Sequence, residues 1–588
     1  MHGGAQAVAA ARAHGARTIF TLSGGHVFPV YDGAVKAEPT MQILDVRHEQ
    51  TAVFAAEATA RLTRSPGFAV LTAGPGVTNG ISAITTAFFN GSAVVILGGR
   101  APDYRWGSGS LQEFDHPALL GPVTKRAWTE HQATGVGPAV SEAFELACAR
   151  HRGPVFLDVS LEALFGAPDH GTPDSMIVES FMRQAQTLHD HGATAGGRPA
   201  GAGPAGAGPT GAGPTGGADR ADDDPDSGRL DQIAALLASS ARPVLVLGSD
   251  VWLDGAEDAA RAAAEELALP VIANGQGRGI LPAGHELLVT RARSVAFGEA
   301  DLVIVAGTPL DFRLGYGEYG GKNGTPPAQV VHIADAPGQL ATHRELAASV
   351  AGDLTGCLTG LVTAAQAIGL GRPWTRDWLP RLTQASRAAS AADAALLASD
   401  AFPIHPMRIY GELTAMLDPD AVVIGDGGDF VSYAGKHVEP RQPGGWLDPG
   451  PYGCLGTGLG YAIAARIARP SAQVVLLLGD GAAGFSLMDV DTLVRHRLPV
   501  VMICGNNGIW GLEKHPMQAL YGYDVAADLQ PECRYDQVVA ALGGAGELVT
   551  KPEGIAPALR RAFDSGVPYL VNIVTDPRIA YPRSTTGV

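Results

Sequence analysis

The sequence is short of cysteine, of basic charge and of long apolar runs, and each shortage removes a class of protein. Its five cysteines (Cys148, Cys357, Cys454, Cys504 and Cys533) are an odd, scattered set without CxxC spacing. They fit neither a disulfide framework nor a zinc cluster, so a reducing compartment and a cytoplasmic location are expected. Lys and Arg number 42 against 59 Asp and Glu, a formal net charge of −17. That balance excludes a nucleic-acid footprint, which needs clustered basic residues, and leaves small molecules as partners. No stretch approaches the about 18 apolar residues that a membrane span requires, and "MHGGAQAVAAARAHGARTIF" lacks the apolar centre of a signal peptide. No membrane partner is expected.

What is present is length and a repeated α/β pattern. At 588 residues the chain exceeds one core. From 1 to 165, "TIFTLSG", "FAVLTAG", "SAVVILGG" and "GPVFLDVS" alternate with helical stretches, which implies βαβ units and a parallel sheet. Residues 166–228 include a Gly-, Ala- and Pro-rich tract that could bury almost nothing, and read as a flexible linker. A second α/β unit is expected over 229–366, from "RPVLVLGS", "LPVIANG", "ADLVIVAG" and "AQVVHIAD". A looser Ala-rich connection covers 367–399. A third unit spans 400–588, with "AVVIGDGG", "AQVVLLLGDG", "LPVVMICGNN" and "PYLVNIVTD". The expected fold class is α/β, three doubly wound parallel-sheet domains. In such sheets ligands gather beyond the carboxyl ends of the strands.

The third unit carries the most specific chemistry. "VVLLL" reads as a strand, Gly479-Asp480-Gly481 as the turn leaving it, and "MDVDTLVRHR" as a helix whose N-terminus could receive a phosphate. "LPVVMIC" is then a second strand, whose end returns beside the first and brings Asn507 to Asp480. A carboxylate and an amide oxygen suit Mg2+ or Ca2+ whose other ligands include diphosphate oxygens.

GDG followed by NN 27 residues later resembles the thiamine diphosphate (ThDP) binding motif. The resemblance implies Mg2+ bound by Asp480, Asn507 and the main-chain oxygen of Ile509, with Gly479, Gly481, Ala482 and Gly511 around the diphosphate. A distant element supports it: "RHEQTAVFAAEATAR" with "GPGVTN" resembles the pyrimidine-binding domain of the acetolactate synthase group. It implies that Glu49 shares a proton with the aminopyrimidine ring and so activates the cofactor, with Gly24, Gly25, Pro75 and Asn79 nearby. It also implies a homodimer or homotetramer with the active site at the subunit interface.

Further likeness covers most of the chain outside the linker. "SLQEFDH" resembles the FQE segment of acetolactate synthases and places Gln112 near the reacting carbon. "LDFRL" places Arg313 where that group grips the carboxylate of a 2-ketoacid. "GPYGCLGTGLGY" puts Leu455, after Gly453, beneath the cofactor. "IGDGGDF" offers Gly428, Asp429 and Phe430 to the diphosphate, without the usual Gln-His pair. "LSGGH" departs from the usual PGGA, and His26 is either a pocket acid/base or a loop histidine. "RARSVAFGEADLVIVAG" is closer to oxalyl-CoA decarboxylases and 2-hydroxyacyl-CoA lyases, so FAD or ADP is open for the central domain. The resemblance implies a carboligase joining pyruvate to a second 2-ketoacid. The competitors are a lyase acting on an acyl-CoA substrate and a non-catalytic partner protein.

Overall fold

The computed structural model describes residues 1–166 and 226–581. The linker expected at 166–228 lies almost wholly outside the described residues. The first sheet comprises β1 (Thr18–Thr21), β2 (Gln42–Asp45), β3 (Gly67–Leu71), β4 (Val94–Arg100), β5 (Ala127–Glu130) and β6 (Val155–Ser160). All are parallel, in the order β2-β1-β3-β4-β6-β5. The second contains β7 (Pro243–Leu247), β8 (Val271–Ala273), β9 (Leu302–Ala306), β10 (Gln329–Ala334) and β11 (Ala348–Ala351), in the order β11-β10-β9-β7-β8. The third contains β12 (Val422–Asp426), β13 (Trp446–Leu447), β14 (Val474–Gly479), β15 (Val501–Asn506), β16 (Ala545–Val549) and β17 (Tyr569–Val574), in the order β13-β12-β14-β15-β17-β16.

The outer sheets therefore share one strand order. In each, the first strand has its successor on one side and the third strand on the other. The order reverses between β1 and β3, and again between β12 and β14, and a crevice for ligands opens at such a reversal. The inner strands β3, β7, β9 and β14 are Val-, Leu- and Ile-rich and almost fully buried, as strands covered by helices on both faces must be.

The segment 367–399, expected as a loose connection, is largely ordered helix. Trp378–Leu397 is a 20-residue helix, and Trp374 and Trp378 are buried in the central core. Their indole N–H groups donate to the carbonyls of Ala268 and Pro243, which fastens the segment to the central unit.

The first and third units share one apolar core. Helix Glu49–Thr63 packs on helix Gly458–Ala468, with Phe54 edge-on to Tyr461 at 6.0 Å. The approach depends on Gly460, where a Cβ would lie 2.6 Å from that of Phe54. Among the described residues no helix is long and apolar enough to cross a membrane.

Candidate active site

Glu49 opens its helix just after β2 and is buried. The Nδ2 of Asn79 donates to its Oε2 at 3.0 Å. Asn79 ends the short helix Pro75–Asn79, entered through Gly74 at φ +60° with Pro75 presetting the first turn. At Gly76 a Cβ would lie 2.6 Å from the Thr72 methyl and 3.9 Å from Glu49 Oε1. At Gly24 one would lie 2.2 Å from Thr72 Cβ. Gly25 then begins the turn that carries His26, whose Nδ1 meets Thr72 Oγ1 at 3.2 Å. The residues expected from two separate motifs thus converge where β1, β2 and β3 end.

Gln112 sits at φ +62° against the same turn, and a Cβ on Gly74 would strike its Cβ at 2.8 Å. The neighbouring His116, which ends the "SLQEFDH" segment but was not expected in the site, is fully buried. It accepts the Gly74 N–H at Nε2 (2.9 Å) and meets Asp158 through Nδ1 (3.0 Å), while Asp158 is paired with Arg100. An Nδ1–H tautomer satisfies both partners, so His116 braces the turn rather than facing substrate.

The second half lies at the reversal between β12 and β14. The helix expected over "MDVDTLVRHR" is present as Val490–Arg495, and a separate helix, Asp480–Ser486, precedes it and begins at Asp480, whose buried carboxylate accepts the Gly481 N–H at 2.9 Å. The Gly508 N–H reaches its other oxygen at 2.6 Å, so the ends of β14 and β15 do meet. Asn507 Oδ1 accepts from the N–H of Ile509, and a Cβ on Gly511 would lie 3.7 Å from Asn507 Nδ2 and 2.3 Å from Asp429 Oδ2. Asp429 therefore joins Asp480 and Asn507. Position 481 requires glycine, because a Cβ there would lie 2.3 Å from the Trp510 ring, whereas Gly479 faces open space. Ala482 is buried beside it.

These residues fit a hard divalent cation. Burial pushes the Asp480 carboxyl up to about 6 although backbone N–H groups oppose the shift. No basic side chain pairs with Asp480 among the described residues, so Mg2+ would supply the missing positive partner, with Asn507 Oδ1 as a second oxygen.

Gly428 caps helix Asp429–His437 and lies against Leu512. Phe430 departs from expectation. Its ring packs under β15 against Gly505 and Tyr410, and Tyr410 donates to its carbonyl, so its side chain belongs to the core and not to a diphosphate. Gly453, at φ +69°, precedes the half-buried Leu455. The following N–H groups of Gly456 and Gly458 donate to Asp426 at 3.0 and 2.9 Å. Asp426 is absent from the expected site, although an apolar run ending in an acid, "VVIGD", was its signal.

A cavity of about 700 Å³ adjoins Gly428 and Gly453 between the central and third units. Arg313 lines it, but its guanidinium is engaged by Asp311 through Nε and Nη2, at 2.9 and 2.7 Å. The cations without an acidic partner there, among the described residues, are Arg278 and Arg293. Arg278 stacks on Trp446 at 4.5 Å and Arg293 on Phe297 at 4.8 Å. This part of the site is built to receive negative charge.

Two crevices at matching strand reversals, one holding a buried Glu and the other a carboxylate–amide pair, define a split cofactor site. The chain belongs to the thiamine pyrophosphate enzyme family, thiamine pyrophosphate being the same molecule as ThDP. Residues 1–119 match its N-terminal TPP binding domain, 230–361 its central domain and 426–573 its C-terminal TPP binding domain. The chain is 46% identical to the acetolactate synthase large subunit IlvG of Mycobacterium tuberculosis, over 99% of this chain and 97% of that protein. It is 34% identical to 2-hydroxyacyl-CoA lyase 2 of Caenorhabditis elegans, over 96% of this chain and 87% of that protein. The human 2-hydroxyacyl-CoA lyase 2 shows 31% identity over 97% of this chain and 90% of its own length.

Proposed function

We propose that the chain is a ThDP- and Mg2+-dependent carboligase of the acetolactate synthase type. It would take pyruvate as donor, release carbon dioxide and join the remaining two carbons to a second 2-ketoacid. ThDP, when bound, supplies the electron sink for breaking and making the bond beside the carbonyl. The observation that carries the proposal is the paired architecture, Glu49–Asn79 at one strand reversal and Asp480–Asn507 at the other. In this reading Asp480, Asn507 and the Ile509 carbonyl hold Mg2+, with Gly428, Asp429, Gly479, Gly481, Ala482 and Gly511 around the diphosphate. Glu49 would hydrogen-bond the pyrimidine ring, with Asn79 fixing the Oε2 side of its carboxyl. Gly24, Gly25 and Pro75 would shape that pocket, Leu455 and Gly453 would help to hold the cofactor, and Gln112 would line the substrate side of the site.

The two halves belong to different protomers of a homodimer or tetramer. Leu111, Phe114 and Leu119 beside Gln112, and Phe485 and Met488 beside Asp480, are exposed on the single chain, and a second copy would cover them. Incubation of the purified protein with pyruvate, ThDP and Mg2+ is expected to give acetolactate and carbon dioxide. No acetolactate above the ThDP-free control would sink the proposal.

The arginine-lined cavity favours a second reading, cleavage of a 2-hydroxyacyl-CoA. Arg278 and Arg293 suit the phosphates of a CoA thioester, and equally those of FAD or ADP held by the central domain. Formyl-CoA and an aldehyde released from a 2-hydroxyacyl-CoA, with no acetolactate from pyruvate, would select it. Mass spectrometry of denatured protein would identify FAD or ADP carried from the cell.

A further inference from the structure

We propose that His26 is a catalytic hydrogen-bond donor that stabilises negative charge developing on the carbonyl oxygen of the substrate. The proposal rests on the ThDP reading and adds a residue that touches the reacting group. His26 follows β1, and its partner Thr72 follows β3, so the pair stands on the two lips of the strand reversal. The ring is 6% exposed. Its Nδ1 is engaged by Thr72, whereas its Nε2 is buried without a hydrogen-bond partner among the described residues. Burying an unpaired polar nitrogen is costly, and such a group in a folded protein points to a ligand that it serves.

The backbone at His26 packs closely against β4. Gly99 on β4 carries no Cβ where one would lie 2.6 Å from that of His26. Thr72 links the ring to the cofactor-activating residue, since its methyl faces Gly76, where a Cβ would lie 3.9 Å from Glu49 Oε1. His116 is the contrast in the same unit, for both its ring nitrogens are satisfied by Gly74 and Asp158.

The charge state suits a donor. Burial lowers the His26 pKa to about 4, so the ring is neutral at physiological pH. The role requires the tautomer in which the Thr72 hydroxyl donates to Nδ1 and the single ring proton resides on Nε2. A neutral Nε2–H donates to an oxyanion without giving up its proton, so no step is needed to recharge it.

Glutamine and asparagine variants separate this role from packing, because a Gln side-chain N–H reaches the Nε2 position and an Asn side-chain N–H only the Nδ1 position. H26A is expected to lose about 10²–10³ in kcat, the range for an oxyanion donor, with the KM for pyruvate and the ThDP affinity, read by tryptophan quenching, changed less than about threefold. H26Q is expected to turn over about tenfold faster than H26N. Equal rates for H26Q and H26N, or a kcat of H26A within about threefold of wild type, would overturn the role while leaving the cofactor reading intact. Wild-type protein that shows no ThDP-dependent quenching would overturn both.

Discussion

Asp426 carries two backbone N–H groups at the end of β12, yet it is fully buried, and burial outweighs those bonds and pushes its carboxyl up to about 7. The folded chain therefore holds this proton more tightly than the unfolded chain, whose Asp titrates near the usual value of about 3.9. Its contribution to stability is complete below about pH 4 and is lost as the pH rises through about 7. The midpoint of thermal unfolding of cofactor-free protein is expected to fall over that window more steeply than that of D426N, which has no proton to lose. Parallel curves would show that Asp426 does not titrate there. D426N is also expected to be about 1–3 kcal/mol less stable near neutral pH, since its amide NH2 would face an N–H donor. Residues such as Glu49, Asp480 and Asn507 were legible because their motifs are local in sequence. Asp426 had a signal, the acid that ends an apolar run, but its partners Gly456 and Gly458 lie 30 and 32 residues on. The roles of His116 and Arg278 were not legible because each depends on partners distant in the chain, Gly74 and Asp158 for the one and Trp446 for the other.

The strands legible as apolar runs are those buried on both faces. β5, β11, β13 and β16 were not legible, and each lies at the edge of a sheet, β11 with alternate residues only half-buried. β5 and most of β16 are only half-buried and β13 is two residues long, so none presents a continuous apolar signature. The contact between helices Glu49–Thr63 and Gly458–Ala468 was likewise invisible, because small residues mark helix faces only when the facing element is known. Its geometry makes a sharp prediction. In G460A the new methyl would lie 2.6 Å from Phe54 Cβ and 3.0 Å from the Thr51 carbonyl oxygen, so one helix must shift. The expected loss is about 1–3 kcal/mol, read as a lower urea midpoint at unchanged slope. An unaltered midpoint would mean that the helices are less closely packed.

Arg61 binds all three units of the molecule. It lies beside the buried Glu57 on its own helix, donates to the Asp448 carbonyl and the Tyr461 hydroxyl of the third unit, and accepts from Trp252 and Gln276 of the central unit through its carbonyl. R61M keeps much of the volume but leaves the Glu57 carboxyl buried without its cation, at an expected cost of about 3–5 kcal/mol in urea unfolding. Loss of less than about 1 kcal/mol would show that Glu57 is protonated and neutral in the fold.

That internal strapping uses the face of the first unit toward its own third unit, while Glu49 contacts Asn79 and Gly76 within its own unit. If the cofactor bridges two protomers, Glu49 serves the Asp480 of a second copy. E49Q and D480N should each be nearly inactive alone, by about 10²–10⁴ for the proton-handling Glu49. Mixed and allowed to exchange subunits, they would form heterodimers in half of the molecules. In each of these, one site combines intact Glu49 with intact Asp480 while the other carries both substitutions. Activity should return to about one quarter of wild type, the value set by random pairing in a twofold assembly. A site completed within one chain would give no recovery, because every chain in the mixture carries one of the two lesions.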